Sequence, residues 1–148
     1  MKISDKIIRA AIKNANRSTF RQRLGAVIFS GNKVHSCGFN KAKSHPITKP
    51  YHEFGTIHAE IDALINATEP EGKDILVVRI TKTKGISTSK PCRMCSQILM
   101  HHKINKVFYI DRKGNLVVEN WLQNDFLKTI NYIESEKRKK HEENIITG

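Results

Sequence analysis

His58-Ala59-Glu60 and Pro91-Cys92-Arg93-Met94-Cys95 put three metal donors and one carboxylate into two short stretches about thirty residues apart. A chain that uses both must fold so that they meet at one point. An imidazole nitrogen and two thiolates fill three corners of a tetrahedron, whereas structural zinc sites are usually closed by four protein ligands. The fourth corner is left for water, whose pKa zinc lowers toward neutrality. Glu60 follows His58 by two residues, so it can reach that corner without being a ligand. The competing role for Glu60 is an acid satisfying the dipole at a helix start. Its place beside a His and upstream of a Pro-Cys pair favours a proton carrier.

The remaining pattern alternates helix and strand. Ile3, Ile7, Ile8, Ala11, Ile12 and Ala15 recur at helical spacing with Lys and Arg opposite, which predicts an opening amphipathic helix packed on a sheet rather than a targeting segment. Leu24–Ser30 and Val34–Phe39, joined by Gly31-Asn32-Lys33, read as a hairpin. Residues 41–56, with Pro46, Pro50 and Gly55, read as a loop leading to the site. Ile57, Ile61, Leu64 and Ile65 predict a helix whose first turn carries His58 and Glu60. Asp74–Ile80 reads as a buried strand, and Thr81–Lys90 as a basic, Ser/Thr-rich loop. Pro91 and Cys92 open a helix to about His102. Val107–Ile110 and Leu116–Val118 read as strands, and Leu122, Phe126, Ile130 and Ile133 as a last amphipathic helix. The expected organisation is one domain over residues 1–134 and a charged tail over 135–148. Such alternation predicts an α/β fold with a central sheet covered on both faces. Both metal motifs fall at helix starts, whose positive dipole ends suit thiolates and a developing oxyanion.

With 148 residues, 39% hydrophobic and 27% charged, the chain has the makings of one globular core. Its 26 Lys and Arg against 14 Asp and Glu give a formal net charge of +12. That surplus suits phosphorylated substrates or nucleic acid, and equally a soluble surface with a basic tail. Two of the three cysteines are claimed by the metal, leaving Cys37 as a small strand filler and excluding a disulfide framework. Thiolate ligands need a reducing compartment, so the expected location is cytoplasmic. No apolar stretch is long enough to span a membrane, and no membrane partner is expected. His101 and His102 read as helix-end residues, His35 as a strand residue and His141 as a tail residue; His45 and His52 lack a matching second ligand set.

The motifs resemble the zinc-dependent cytidine and deoxycytidylate deaminase superfamily, and the similarity runs over roughly residues 5–111. It includes Arg17-Ser18-Thr19, Leu24 to Ile28, Gly38-Phe39-Asn40, Ala63-Leu64 and Ile104 to Tyr109. The resemblance implies a three-layer α/β/α sandwich with a mixed central sheet. It implies Zn2+ held by His58, Cys92 and Cys95, with Glu60 as the catalytic proton shuttle. By the same carry-over Asn40 contacts the sugar, and the backbone N–H groups of Ala59 and Cys92 hold the base. Relatives are commonly oligomeric, so a homo-oligomer is expected.

One departure bears on the substrate. The family usually keeps a strand ending in Thr close to the Pro-Cys pair. Here Lys82, Lys84 and Lys90 occupy a longer stretch, with Ser87, Thr88 and Ser89 between them. That stretch can grip a 5′-phosphate, with Ser89 and Lys90 as substrate-binding residues. It can also track a nucleic-acid backbone or simply be solvated. Arg93-Met94-Cys95 and Met100 to Ile104 resemble the tRNA adenosine deaminases, which keeps a polynucleotide in view. Against that, only 7% of residues are aromatic, and no aromatic–basic interleaving forms a stacking platform. The leading expectation is hydrolytic deamination of deoxycytidylate to deoxyuridylate and ammonia. The alternatives are a deaminase acting on a base in single-stranded DNA or RNA, and a non-catalytic nucleic-acid-binding zinc protein.

Overall fold

A computed structural model describes residues 3–42, 56–81 and 85–120. The expected last helix, the tail, most of the 41–56 loop, and His45, His52 and His141 lie outside the described residues. The chain opens with α1 (Asp5–Ala15), whose Ile7, Ala11 and Ala15 form the buried stripe; Asp5 in its first turn and Lys13 in its last suit the dipole. A hairpin follows, β1 (Gln22–Ser30) and β2 (Lys33–Phe39), antiparallel and turned at Gly31, which takes φ +59 as a two-residue turn requires. The register slips by one residue at Ile28/Phe29, where His35 is passed over.

The second half supplies α2 (Ala59–Asn66), β3 (Asp74–Thr81), β4 (Gly85–Ser87), α3 (Arg93–His101), β5 (Lys106–Ile110) and β6 (Leu116–Asn120). The main strand order is β2-β1-β3-β5-β6. β3 and β5 run parallel while the other pairs are antiparallel, so the sheet is mixed.

Alternation along the strands divides the core between two faces. Ala26, Ile28, Ile75, Val77 and Val107 pack with Ile61 and Leu64 of α2 and Ile98 and Leu99 of α3. Val27, Phe29, Leu76, Val78 and Phe108 pack with Ile7, Ala11 and Ala15 of α1. A strand apolar at every position is what a sheet buried on both faces demands. The result is the expected three-layer α/β/α sandwich.

Two glycines set how closely the helices approach. A Cβ at Gly25 would collide with the α1 backbone at Ala11 and Ala15; one at Gly38 would collide with the α2 backbone at Ala59, Asp62 and Ala63. Hydrogen bonds hold α2 on β2 at that distance: Ser36 Oγ donates to Ala63 O (2.8 Å) and Asn66 Nδ2 to Cys37 O (2.9 Å).

The structure corrects the reading of 81–90 as a loop. Parallel pairing with β5 covers β3 only at Ile75 and Leu76, which leaves the far part of that edge unpaired. β4 fills it, matching Ser87 with Arg79, Ile86 with Ile80 and Gly85 with Thr81. With Gly and Ser flanking a single Ile, the strand carries almost no side-chain signal, and the demand of a buried edge for backbone partners decides the outcome.

Candidate metal centre and active site

His58 and Cys92 are the N-cap residues of α2 and α3, each extended and one position before the helix. Pro91 therefore lies just ahead of α3. The two helices pack on the same face of the sheet, so their starts converge. His58 Nδ1 lies 3.2 Å from Cys95 Sγ and 3.6 Å from Cys92 Sγ. The three donor atoms fall within 4.8 Å of one another. Cys92 Sγ also accepts the N–H of Cys95 at 3.5 Å, capping α3.

Protons are unevenly shared in this cluster. The Cys95 thiol and the His58 ring lower the Cys92 pKa to about 3. Cys95 is pushed upward by the neighbouring Cys92 sulfur and by burial, and the contact with Cys92 raises His58. One imidazole and two sulfurs compressed this closely form a donor set suited to a borderline-soft cation.

Glu60 lies in the first turn of α2 and is 2% exposed. Its carboxyl is reached by its own N–H and by the Cys95 thiol, while Oε1 has no hydrogen-bond partner among the described residues. Burial raises its pKa, opposed in part by those contacts. A carboxyl buried beside the metal donors with one oxygen unpaired among the described residues is not a surface acid. His58, Glu60 and Cys92 open into a cavity of about 540 Å³ that Asn40, Arg79 and Lys90 also line. A second concavity of about 670 Å³, lined by Glu69, Glu71, His101 and Lys103, lies at the opposite end of α3 and holds none of the donors.

Residues 1–111 match the family described as the cytidine and deoxycytidylate deaminase zinc-binding region. The chain belongs to that family. It is a zinc-dependent deaminase, and His58, Cys92 and Cys95 are placed to bind the metal ion. A cytidine deaminase from Burkholderia pseudomallei shares the fold, with 21% identity, 77% of this chain and 89% of that chain covered, and a TM-score of 0.56. The dCMP deaminase of cyanophage S-TIM5 in apo form aligns at 20% identity over 74% of this chain and 86% of its own, with a TM-score of 0.48. No curated protein gives a significant match.

The deaminase treats its expected substrate residues unequally. Asn40 lines the cavity, and its amide extends the β1–β2 ladder: Oδ1 accepts from Leu24 N (2.9 Å) and Nδ2 donates to Gln22 O (2.8 Å). Ala59, fully buried, is the first residue of α2, a position whose N–H has no acceptor within the helix.

Ser89 is a correction. Its hydroxyl donates to Val77 O (2.7 Å) and accepts from Ile110 N (2.9 Å), and its own N–H reaches Ile110 O (2.9 Å). Buried at 2% exposure and outside the cavity lining, it fastens β3 to β5 and does not face substrate. Lys90 does line the cavity, with its ammonium 3.8 Å from Glu119 and 5.8 Å from the Tyr109 ring centre.

Two neighbours of the site escaped sequence reasoning. Asp62 accepts Phe39 N–H (3.1 Å) and Lys41 Nζ (2.9 Å), bracketing Asn40 from α2. Arg79 reaches the cavity from β3. The available signal was its phase, because it shares a face with Val77 in a run otherwise apolar at inward positions.

Proposed function

We propose that the enzyme deaminates deoxycytidylate to deoxyuridylate and ammonia. The observation that carries this reading is the single cavity in which metal donors, Glu60, Asn40 and two cationic side chains converge. Its volume of about 540 Å³ lies within the range of small-molecule sites, about 300–1,000 Å³. The family's own description, covering cytidine and deoxycytidylate, supports cytosine as the base, and cations at the cavity favour a substrate bearing phosphate.

His58, Cys92 and Cys95 would hold the zinc, which when bound would supply the Lewis acidity that makes water a competent nucleophile near neutral pH. Glu60 moves the protons. Its carboxylate takes one from the attacking water, delivers it to the ring nitrogen next to the carbon under attack, and then helps protonate the departing amine. Burial keeps the protonated carboxyl within reach, as a group that must both accept and donate requires. The Ala59 N–H orients the base, and Asn40, locked by β1, holds the sugar.

The test is an ammonia-release assay on zinc-loaded full-length protein with dCMP, deoxycytidine and single-stranded oligonucleotides. Turnover of dCMP in preference to the others is expected. Turnover of oligonucleotides alone would reject the reading in favour of a nucleic-acid editor.

A further inference from the structure

Arg79 stands in the apolar strand β3, paired with Leu24 on β1 and Ser87 on β4. Period-two alternation puts it on the face of Ile75 and Val77, beneath α2 and α3. Its side chain lines the cavity that holds His58, Glu60 and Cys92. Nε is buried with no hydrogen-bond partner among the described residues, and none of the ion pairs found there involves Arg79.

A guanidinium remains charged at every physiological pH, and a buried charged donor without an acceptor is unfavourable. Glu60, the only acidic side chain among the described residues lining the cavity, does not serve Nε: neither Nε nor Glu60 Oε1 has a partner among those residues. A ligand entering the cavity can supply the acceptor that Nε lacks among the described residues. Cytosine and deoxyribose are neutral and offer the guanidinium no anionic oxygen. A phosphate monoester does, in a geometry that matches the fork of N–H donors. Lys90 lines the same cavity, and its contacts with Glu119 and the Tyr109 ring are of an exposed kind worth little, so a second cation can turn toward the same group.

Building on the deoxycytidylate reading, we infer that Arg79 recognises the 5′-phosphate monoester of the substrate and sets the preference for nucleotide over nucleoside. β3 is thus the anion-reading wall of the site, distinct from the metal-binding wall at α2 and α3.

Product binding tests this without turnover. Calorimetry on zinc-loaded protein compares dUMP, deoxyuridine and a single-stranded trinucleotide with a central deoxyuridine, for wild type, Arg79→Gln and Arg79→Lys. Wild type is expected to bind dUMP about tenfold to a hundredfold more tightly than deoxyuridine, the span of one or two charge-assisted hydrogen bonds. Arg79→Gln removes that margin and leaves deoxyuridine binding unchanged. Arg79→Lys, which keeps the charge without the fork, retains part of it and serves if the Gln variant folds poorly. A margin that survives in both variants, an equal loss for deoxyuridine, or Arg79-dependent binding of the trinucleotide tighter than that of dUMP overturns the inference. Failure of wild type to deaminate dCMP would instead count against the deaminase's proposed substrate, since the binding margin is read separately.

Discussion

Glu60 has lost nearly all its contact with water and keeps one oxygen without a partner among the described residues. A carboxyl whose only task was to satisfy a helix start would sit exposed in the first turn. Replacing it by the isosteric Gln removes proton transfer while filling the same volume. Glu60→Gln is expected to lower kcat by about a hundredfold to ten-thousandfold, the usual contribution of a positioned acid–base group. Zinc content by mass spectrometry stays at the wild-type level; a parallel loss of metal would make Glu60 a structural member of the cluster. The grouping of His58, Cys92 and Cys95, with Glu60 beside them, was legible in the sequence because it depends on spacing within two helix starts, and local spacing survives folding unchanged. Ser89 was misread for the opposite reason. Its partners, Val77 and Ile110, lie 12 and 21 residues away, and nothing local distinguishes a hydroxyl that spans two strands from one that faces a ligand.

The elements carry the site's precision. α2 rests directly on Gly38, so the depth of the helix start, and with it His58 and Glu60, is set by the absence of a side chain there. Gly38→Ala must push α2 outward. Overpacking of this sort costs about 1–3 kcal/mol or more, seen in urea unfolding, and zinc affinity is expected to fall with stability because the helix start moves. Asp62 acts at the same helix on a different target. Its carboxylate fixes the strand end that presents Asn40, through Phe39 N–H and Lys41. Asp62→Ala is expected to destabilise the fold by about 2 kcal/mol, as loss of a hydrogen bond to a charged group does. It should raise KM for dCMP with zinc retained; a KM equal to wild type would remove Asp62 from substrate positioning. The helices and principal strands could be read from periodicity, since their burial imposes a regular pattern. β4 could not, because its existence answers a gap on the edge of β3, and the gap exists only once the sheet is assembled.

Across the whole molecule, the metal donors bridge two segments that the sheet brings together from distant parts of the chain. Zinc binding stabilises the native state in proportion to its preference for that state over the unfolded chain. Removing the metal with a chelator is expected to lower Tm, and readdition of zinc should restore both Tm and activity. An unchanged Tm would mean that α2 and α3 hold their relation without it. No helix among the described residues is long and apolar enough to cross a membrane.

Ser89 rivets the returning chain to Val77 and Ile110 just before Cys92, and this has an architectural corollary. β4 pairs back onto β3, and the chain after it rejoins the frame at this fixed bolt. A change of length ahead of Ser89 is therefore absorbed before the chain reaches Cys92, and the metal donors keep their alignment. The anchor thus decouples the register of the metal-binding helix from whatever length precedes it.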